Sequence, residues 1–443
     1  KFHGHFLGCA VGDYDNDGYD DIYISGYRTG LLLHNERGKT FKDVTAGSGL
    51  ATQPWGTSCA WGDFDNDGRL DLYVGDYVQF DPKTSKRLCE ARGTTMVCNP
   101  STYLPEHGAL YHNEGHGKFQ DVTNKWQASG FGKTLGVAFA DYDRTGRQSL
   151  MLANDTLPAD LLSNVGGKFR NAGRESGTAF NGHNVSYAGM GLDWGDYDND
   201  GKIDLTVMAF YGEPKCIYHN VGNGLFEEIS DTLALTGHTQ DSLAFGCKWL
   251  DYDNDGWLDL MITNGHVYDN VDAVDKLQKY RQPTQLFHND HGRLFVDMSG
   301  AAGPSLQKPI VGRGLAVGDF DNDGRVDALV VDSEGVPLLL HNESQNVGHW
   351  LSIKLTGVHS NRDGYGAQVT AAAGGLTQTR ICHTDGSYLS ASDGRVHLGL
   401  GAARTVDTLT VRWPSGHVDV LHHVPADRFL TLREGQKLVL SHS

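Results

Sequence analysis

The sequence predicts an all-β chain: a β-propeller of six acidic-loop repeats with seven blade positions, followed by a small C-terminal β domain. Three observations predict it. An aspartate-rich string recurs along the chain, short apolar strands flank every copy, and the pattern stops near residue 346. Periodicity of this kind means repeated units that bury their faces against one another.

The first copy, "DYDNDGYDD" at 13–21, puts five aspartates into nine positions. It returns as "DFDNDGRLD" at 63, "DYDRTGRQS" at 141, "DYDNDGKID" at 196, "DYDNDGWLD" at 251 and "DFDNDGRVD" at 319. A glycine-rich apolar strand such as "LGCAVG" or "GLAVG" precedes each loop, and one such as "DIYIS" or "DLMIT" follows. A third strand ends in a near-constant signature, as in "LYHNEGHGKF", and a fourth reads "FKDVT" or "FQDVT". Each unit is therefore four short antiparallel strands, the acidic loop joining the first to the second. That is one propeller blade.

Two insertions interrupt the array. Residues 77–109 carry "CEARGTTMVC", where a Cys89–Cys98 disulfide is the expected staple for a loop with little core of its own. Cys9, Cys59, Cys216, Cys247 and Cys382 have no assigned pairing, and no spacing fits a zinc site. In the fifth unit, "DNVDAVDKLQKYR" at 269–281 predicts a short helix.

The division is expected at 346: a propeller over 1–346 and a β domain over 347–443 packed on it. The sixth unit has no "FxDVT" strand after "LLLHNES", and the chain opens directly at a first strand. An open blade edge would expose unpaired N–H and C=O groups. The first C-terminal strands, from "HWLSIKLTG" onward, are therefore expected between units six and one.

Composition narrows the partners. At 39% hydrophobic and 21% charged, the 443 residues can bury a core, and 57 glycines suit a turn-rich β chain. The net charge of −18 argues against nucleic acid. No apolar run approaches the roughly 18 residues of a membrane span. Lys1 in place of a methionine, with no signal peptide, is expected of a processed or trimmed chain. A monomer is expected.

Packed carboxylates need a counter-charge, and calcium takes six to eight hard oxygen ligands that a tight loop supplies from alternate residues. In the first loop these are Asp13, Asp15, Asp17, the carbonyl of Tyr19, and Asp21. Gly18 permits the reversal, and Asn16 faces away and stabilises the turn. The equivalents are Asp63, Asp65, Asp67, Arg69 and Asp71; Asp196, Asp198, Asp200, Lys202 and Asp204; Asp251, Asp253, Asp255, Trp257 and Asp259; and Asp319, Asp321, Asp323, Arg325 and Asp327. Five structural Ca2+ sites are expected, bringing the charge from −18 to about −8. The third loop keeps Asp141 and Asp143 but has Thr145 and Ser149 where the others have carboxylates, so it is expected to bind weakly or not at all.

These loops resemble the FG-GAP (VCBS-type) repeats of integrin-alpha-like propellers, where such loops bind calcium. The whole layout resembles the cartilage acidic protein family, in which the repeats precede an ASPIC/UnbV domain, here matched by "HWLSIKLTG", "NRDGYGAQV", "VHLGLG" and "VRWPSG". The insertion "CEARGTTMVCNPSTY" and the segment "TNGHV" also look like that family. The resemblance implies a secreted, periplasmic or extracellular calcium-dependent propeller. No EGF-like module follows the C-terminal region, which is expected of a bacterial-type homologue.

With calcium loops on one face, the opposite face is left for a ligand. Before the first strands come His3, His5, Trp55, Lys133, His183, Tyr187, Asp241 and Arg313. After the second strands come Asp76, Tyr77, Asn154, Asp155, Tyr211, Glu213, Asn264, His266, Asp332 and Glu334. Two functions are open. One is a binding module for a small molecule or an extracellular protein or glycan. The alternative is an enzyme doing acid/base chemistry (cyclisation, isomerisation, elimination or hydrolysis) in the central channel, with His5, His183, Asp241, His266 and Arg313 as catalytic candidates. His34, His112, His219, His288 and His341 belong to the repeated "HN" signature and read as structural.

Overall fold

The computed structural model describes residues 3–91, 93–345 and 347–436. Five four-stranded antiparallel sheets and one three-stranded sheet follow one another along residues 5–340. Their first strands pack in succession: His5–Gly12, Gly56–Gly62, Thr134–Ala140, Leu192–Gly195, Ala244–Leu250 and Gly312–Gly318. In each sheet the acidic loop joins the first strand to the second, which places all six loops on one face of the ring.

The spaces between blades are filled by large side chains at repeated places. Tyr14, Trp61 and Phe119 interlock between units one and two, as do Tyr142, Trp194 and Phe226 between three and four, and Tyr197, Trp249 and Phe295 between four and five. Rings of this size each bury a large apolar area between the blades.

The C-terminal region forms two sheets. His349–Thr356 pairs with Val396–Gly401 and, in parallel, with Arg428–Arg433. Gln368–Ala373 pairs with Leu376–Ile381 and Thr405–Arg412, which pairs with Val418–Pro425. This region lies against the acidic-loop face. Leu351, Tyr365 and Trp413 share one hydrophobic core with Ala10, Trp61 and Leu72 of the first two units.

Residues 384–394 stand between the sixth unit and the first. Thr384 Oγ1 donates to the Val11 carbonyl at 3.1 Å, while the Val317 amide donates to Ser392 Oγ at 3.2 Å and the Asp393 amide to the Val317 carbonyl at 3.0 Å. The strand His349–Thr356 does not take this place, because both its edges are already paired within its own sheet. The expected division point, Asn346, and Lys1 lie outside the described residues.

The helix expected over 269–281 is not formed; only Val271–Ala273 makes a single tight turn. Val271 is buried, but Leu277 is 82% exposed, so the apolar stripe has no surface to bury against. Tertiary packing decides whether so short a helix forms.

Candidate functional site

Each acidic loop is organised by its first aspartate, which accepts backbone amides at the turn. Asp13 Oδ1 accepts from Asp17 N at 2.9 Å and Oδ2 from Gly18 N at 2.7 Å, and Asp63, Asp251 and Asp319 repeat this pair. The ninth-position aspartate is buried and held from outside the loop. Asp21 Oδ1 accepts from the Asn35 amide at 2.7 Å and lies 3.1 Å from His34 Nδ1. Asp71 with Asn113 and His112, Asp204 with Asn220 and His219, and Asp259 with Asn289 and His288 do the same. In unit three the carboxylate and the histidine are missing together: Ser149 Oγ takes the place of the carboxylate in accepting the Asn164 amide, and Ser163 stands where the others have histidine. The signature histidines therefore serve the loops, which their position in the sequence did not reveal.

Several acidic clusters here could hold a metal ion, and each of the five full loops brings its histidine within reach of two of its aspartates. The donor chemistry fits a hard cation. Asp21 Oδ2, Asp196 Oδ1 and Asp253 Oδ1 are buried without a hydrogen-bond partner among the described residues. Burial, then repulsion from neighbouring carboxylates, pushes Asp63 up to about 8; burial likewise lifts Asp71 and Asp196 to about 7. Such groups favour a bound cation over remaining charged alone.

The loops are linked laterally. Asn16 Nδ2 donates to the Gly68 carbonyl, Asn66 to Gly146, Asn199 to Gly256 and Asn254 to Gly324, at 2.6–3.0 Å. In the third loop Arg144 replaces the asparagine and reaches the Gly201 carbonyl instead. The last, Asn322, accepts from Arg395 of the C-terminal region at 2.7 Å. The fourth-position residue thus reaches the next loop rather than only stabilising its own turn. The signature asparagines add a second ring: Asn113 Nδ2 donates to the Tyr14 carbonyl, Asn164 to Phe64, Asn220 to Tyr142, Asn289 to Tyr197 and Asn342 to Tyr252.

On the opposite face the axis opens into a cavity of about 390 Å³. Its walls are largely apolar, with Leu7, Trp55, Leu135, Met190, Phe210 and Phe245 among them. Val97, Cys98, Asn99 and Pro100 of the first insertion and Val267 and Tyr268 of the second also line it. The Cys89–Cys98 disulfide is formed, and Asn270 Nδ2 donates to the Thr95 carbonyl at 2.9 Å, so the two insertions meet beside the mouth.

Four of the polar groups carry charge or reactivity. Tyr77 Oη donates to Asp155 Oδ2 at 2.5 Å; burial pushes Asp155 up to about 6, and the tyrosine bond opposes the rise. Glu213 Oε2 accepts the amides of Ala188 and Phe210 at 3.0 and 3.2 Å. Arg313 lies over the Phe245 ring at 4.0 Å and donates to the carbonyls of Gly265, Gly312 and His266. Buried Lys215 fixes the turn behind Phe210 and Glu213, donating from Nζ to the carbonyls of Phe210, Glu213 and Ser242.

Tyr388, from the C-terminal region, completes the pocket. Its ring lies 4.8 Å from Phe245, carried there by the 384–394 segment entering from the other face. The neighbouring Leu389 amide donates to Ser58 Oγ, and Ser387 and Leu192 exchange backbone hydrogen bonds, which fixes the segment along the axis. The signal was a long strand-free run rich in small polar residues, "HTDGSYLSASDG". Loops of that length are usually functional.

Of the expected opposite-face residues, Trp55, Tyr77, Asp155, Glu213 and Arg313 line the cavity. Asp76 supports them, its Oδ1 accepting the amides of Trp55 and Tyr77. His266 packs between Phe210 and Tyr268, and burial lowers it to about 4. His5 is exposed against Tyr27; His183 and Asp241 are exposed and do not line the cavity. Lys133 turns away to the Pro100 carbonyl, and Tyr187 is buried against Tyr218. Asn154 and Asn264 are buried and cap the carbonyls of Pro158 and Pro283.

Comparison with known proteins agrees with this architecture. Residues 13–74 match the FG-GAP-like repeat family and residues 357–439 the ASPIC and UnbV family. Cartilage acidic protein 1 of Xenopus tropicalis is 22% identical over 94% of this chain and 62% of its own length. The Homo sapiens protein is 24% identical over 67% of this chain and 43% of its own. The chain thus spans between 43% and 62% of the length of these relatives. Among solved structures, an Agrocybe aegerita lectin that recognises non-reducing terminal N-acetylglucosamine aligns over 77% of this chain and 81% of its own, at 14% identity and a TM-score of 0.42. By its FG-GAP-like repeat, its ASPIC and UnbV domain and its curated relatives, the chain is similar to the cartilage acidic protein family.

Proposed function

We propose that this chain is a secreted, calcium-stabilised β-propeller over residues 1–346 with a packed β domain over 347–443, and that it binds a small ligand in the axial pocket opposite its acidic loops. The observation that carries the reading is the cavity itself: about 390 Å³, apolar-walled, with a few convergent polar groups and the two insertions at its mouth. Ligand sites have this size and make-up. Five loops of the DxDxDG type, with oxygen donors and buried unpartnered carboxylate oxygens, support calcium as the ion. The formed Cys89–Cys98 disulfide supports an oxidising compartment. No helix among the described residues is long and apolar enough to cross a membrane.

A second reading, acid/base catalysis in the same pocket, is favoured by one observation: Asp155, raised to about 6, shares a hydrogen bond with Tyr77 at the cavity wall. Both readings place the ligand in one position. Crystals grown with pooled metabolites test it: density between Trp55 and Tyr388 is expected, and density only on the acidic-loop face or the outer rim contradicts it.

A further inference from the structure

The pocket's polar groups are not equivalent. Its two acids are already answered by protein donors: Tyr77 Oη for Asp155, and the amides of Ala188 and Phe210 for Glu213. Its one cation meets only neutral acceptors. Arg313 has no carboxylate within ion-pair distance among the described residues. The nearby acids, Asp332 and Glu334, are taken by Arg281 at 3.4 and 3.1 Å, and Glu334 also by Tyr280 Oη at 2.7 Å. The guanidinium is instead oriented by three backbone carbonyls and stacked on Phe245, an arrangement that fixes its plane and leaves its charge unneutralised. Next to Phe245 stands Tyr388, whose hydroxyl has no hydrogen-bond partner among the described residues.

An oriented, half-buried guanidinium and a phenol hydroxyl without a protein partner, both packed on Phe245, favour an anion, because the guanidinium can only donate and the hydroxyl can donate as well. A carboxylate can accept from both donors that line this cavity. The rest of the cavity is aromatic and aliphatic, so the body of the ligand is apolar.

We infer that the axial pocket takes a small organic carboxylate with an apolar body, its anion held by Arg313 and Tyr388, so that the C-terminal region supplies part of the site. This rests on the pocket reading above and goes further in naming the ligand's charge and the residue from the other domain. It also gives the 384–394 segment a second role. Besides standing between units one and six, it supplies Tyr388 to the pocket lining.

The test uses three matched probes on the full chain: 3-phenylpropanoate, its neutral amide, and 3-phenylpropylammonium, titrated by calorimetry or saturation-transfer NMR. The carboxylate is expected to bind about tenfold more tightly than the amide, the scale of a charge-assisted hydrogen bond, and the cation weakest. Arg313→Gln is expected to erase the preference for the anion. Tyr388→Phe is expected to weaken the carboxylate about fivefold, leave the amide unchanged, and leave the melting midpoint unchanged. The second variant keeps the test valid if Arg313→Gln disturbs the carbonyls it caps. Equal or tighter binding of the amide or the cation to the unmodified protein overturns the carboxylate assignment and leaves the pocket reading standing. Failure of all three to bind at about 5 mM, a weak-affinity ceiling, overturns both.

Discussion

The side-chain amide of Asn16 donates to the carbonyl of Gly68 at 2.9 Å, tying the first acidic loop to the second. Repeated around the ring, this bond lets each loop brace its neighbour. Asn254 is the most buried member, donating to Gly324 and lying 2.7 Å from His397 Nε2 of the C-terminal region. Asn254→Ala is expected to lower stability by about 2 kcal/mol, the cost of leaving buried partners unsatisfied. Arg144→Ala, at the exposed equivalent, is expected to cost much less. Chemical denaturation of both variants checks the contrast.

The third loop provides an internal control. With Thr145 and Ser149 in place of two carboxylates and Ser163 in place of the histidine, it lacks most of what the other five share. In saturating calcium, Asp143→Ala is expected to leave melting nearly unchanged, whereas Asp198→Ala lowers it by several degrees, because a filled site stabilises only the folded state. Equal effects would mean that the third loop binds as the others do.

Asp155 gives a pH prediction. Its native value of about 6 lies above the 3.8 of an unperturbed aspartate, with burial the larger cause. The native state therefore holds this proton longer than the unfolded chain does. Below 3.8 the group is protonated in both states and costs nothing. Between 3.8 and 6 stability falls as pH rises, and above 6 the full penalty is present. Asp155→Asn is expected to raise the melting midpoint by about 2–5 °C at pH 8 and much less at pH 4.5. A destabilised variant at pH 8 would mean that the charged form is better solvated than its burial implies.

Reduction of the Cys89–Cys98 disulfide is expected to act on the pocket more than on the fold. Cys98 and its neighbours form one wall, while the cross-link closes only a short loop far from the blade cores. The double variant Cys89→Ser, Cys98→Ser should lose probe affinity severalfold with a melting shift of only about 1–2 °C. A large loss of stability with unchanged binding would contradict this.

What was legible in the sequence was what repeats. Asp13, Asp63, Asp196, Asp251 and Asp319 announce their loops because calcium-type chemistry demands the same donors at the same spacing, and the flanking strands follow from those loops. The pocket was half legible: Trp55, Tyr77, Asp155, Glu213 and Arg313 could be placed by topology alone. Tyr388 could not, since nothing local in "DGSYLS" says that the segment enters the axis of another domain. The link between Asn270 and Thr95 was hidden for the same reason, because 175 residues separate its partners. The 269–281 stretch shows the converse failure, where a local helical pattern met no surface on which to pack.

The acidic loops are proposed to be calcium sites. Counting bound calcium by native mass spectrometry, on protein exchanged into calcium and then into volatile buffer, tests that most directly. Five ions per chain are predicted, falling to four in Asp198→Ala and staying at five in Asp143→Ala. A chain that holds no calcium, or six ions of equal retention, would contradict the account.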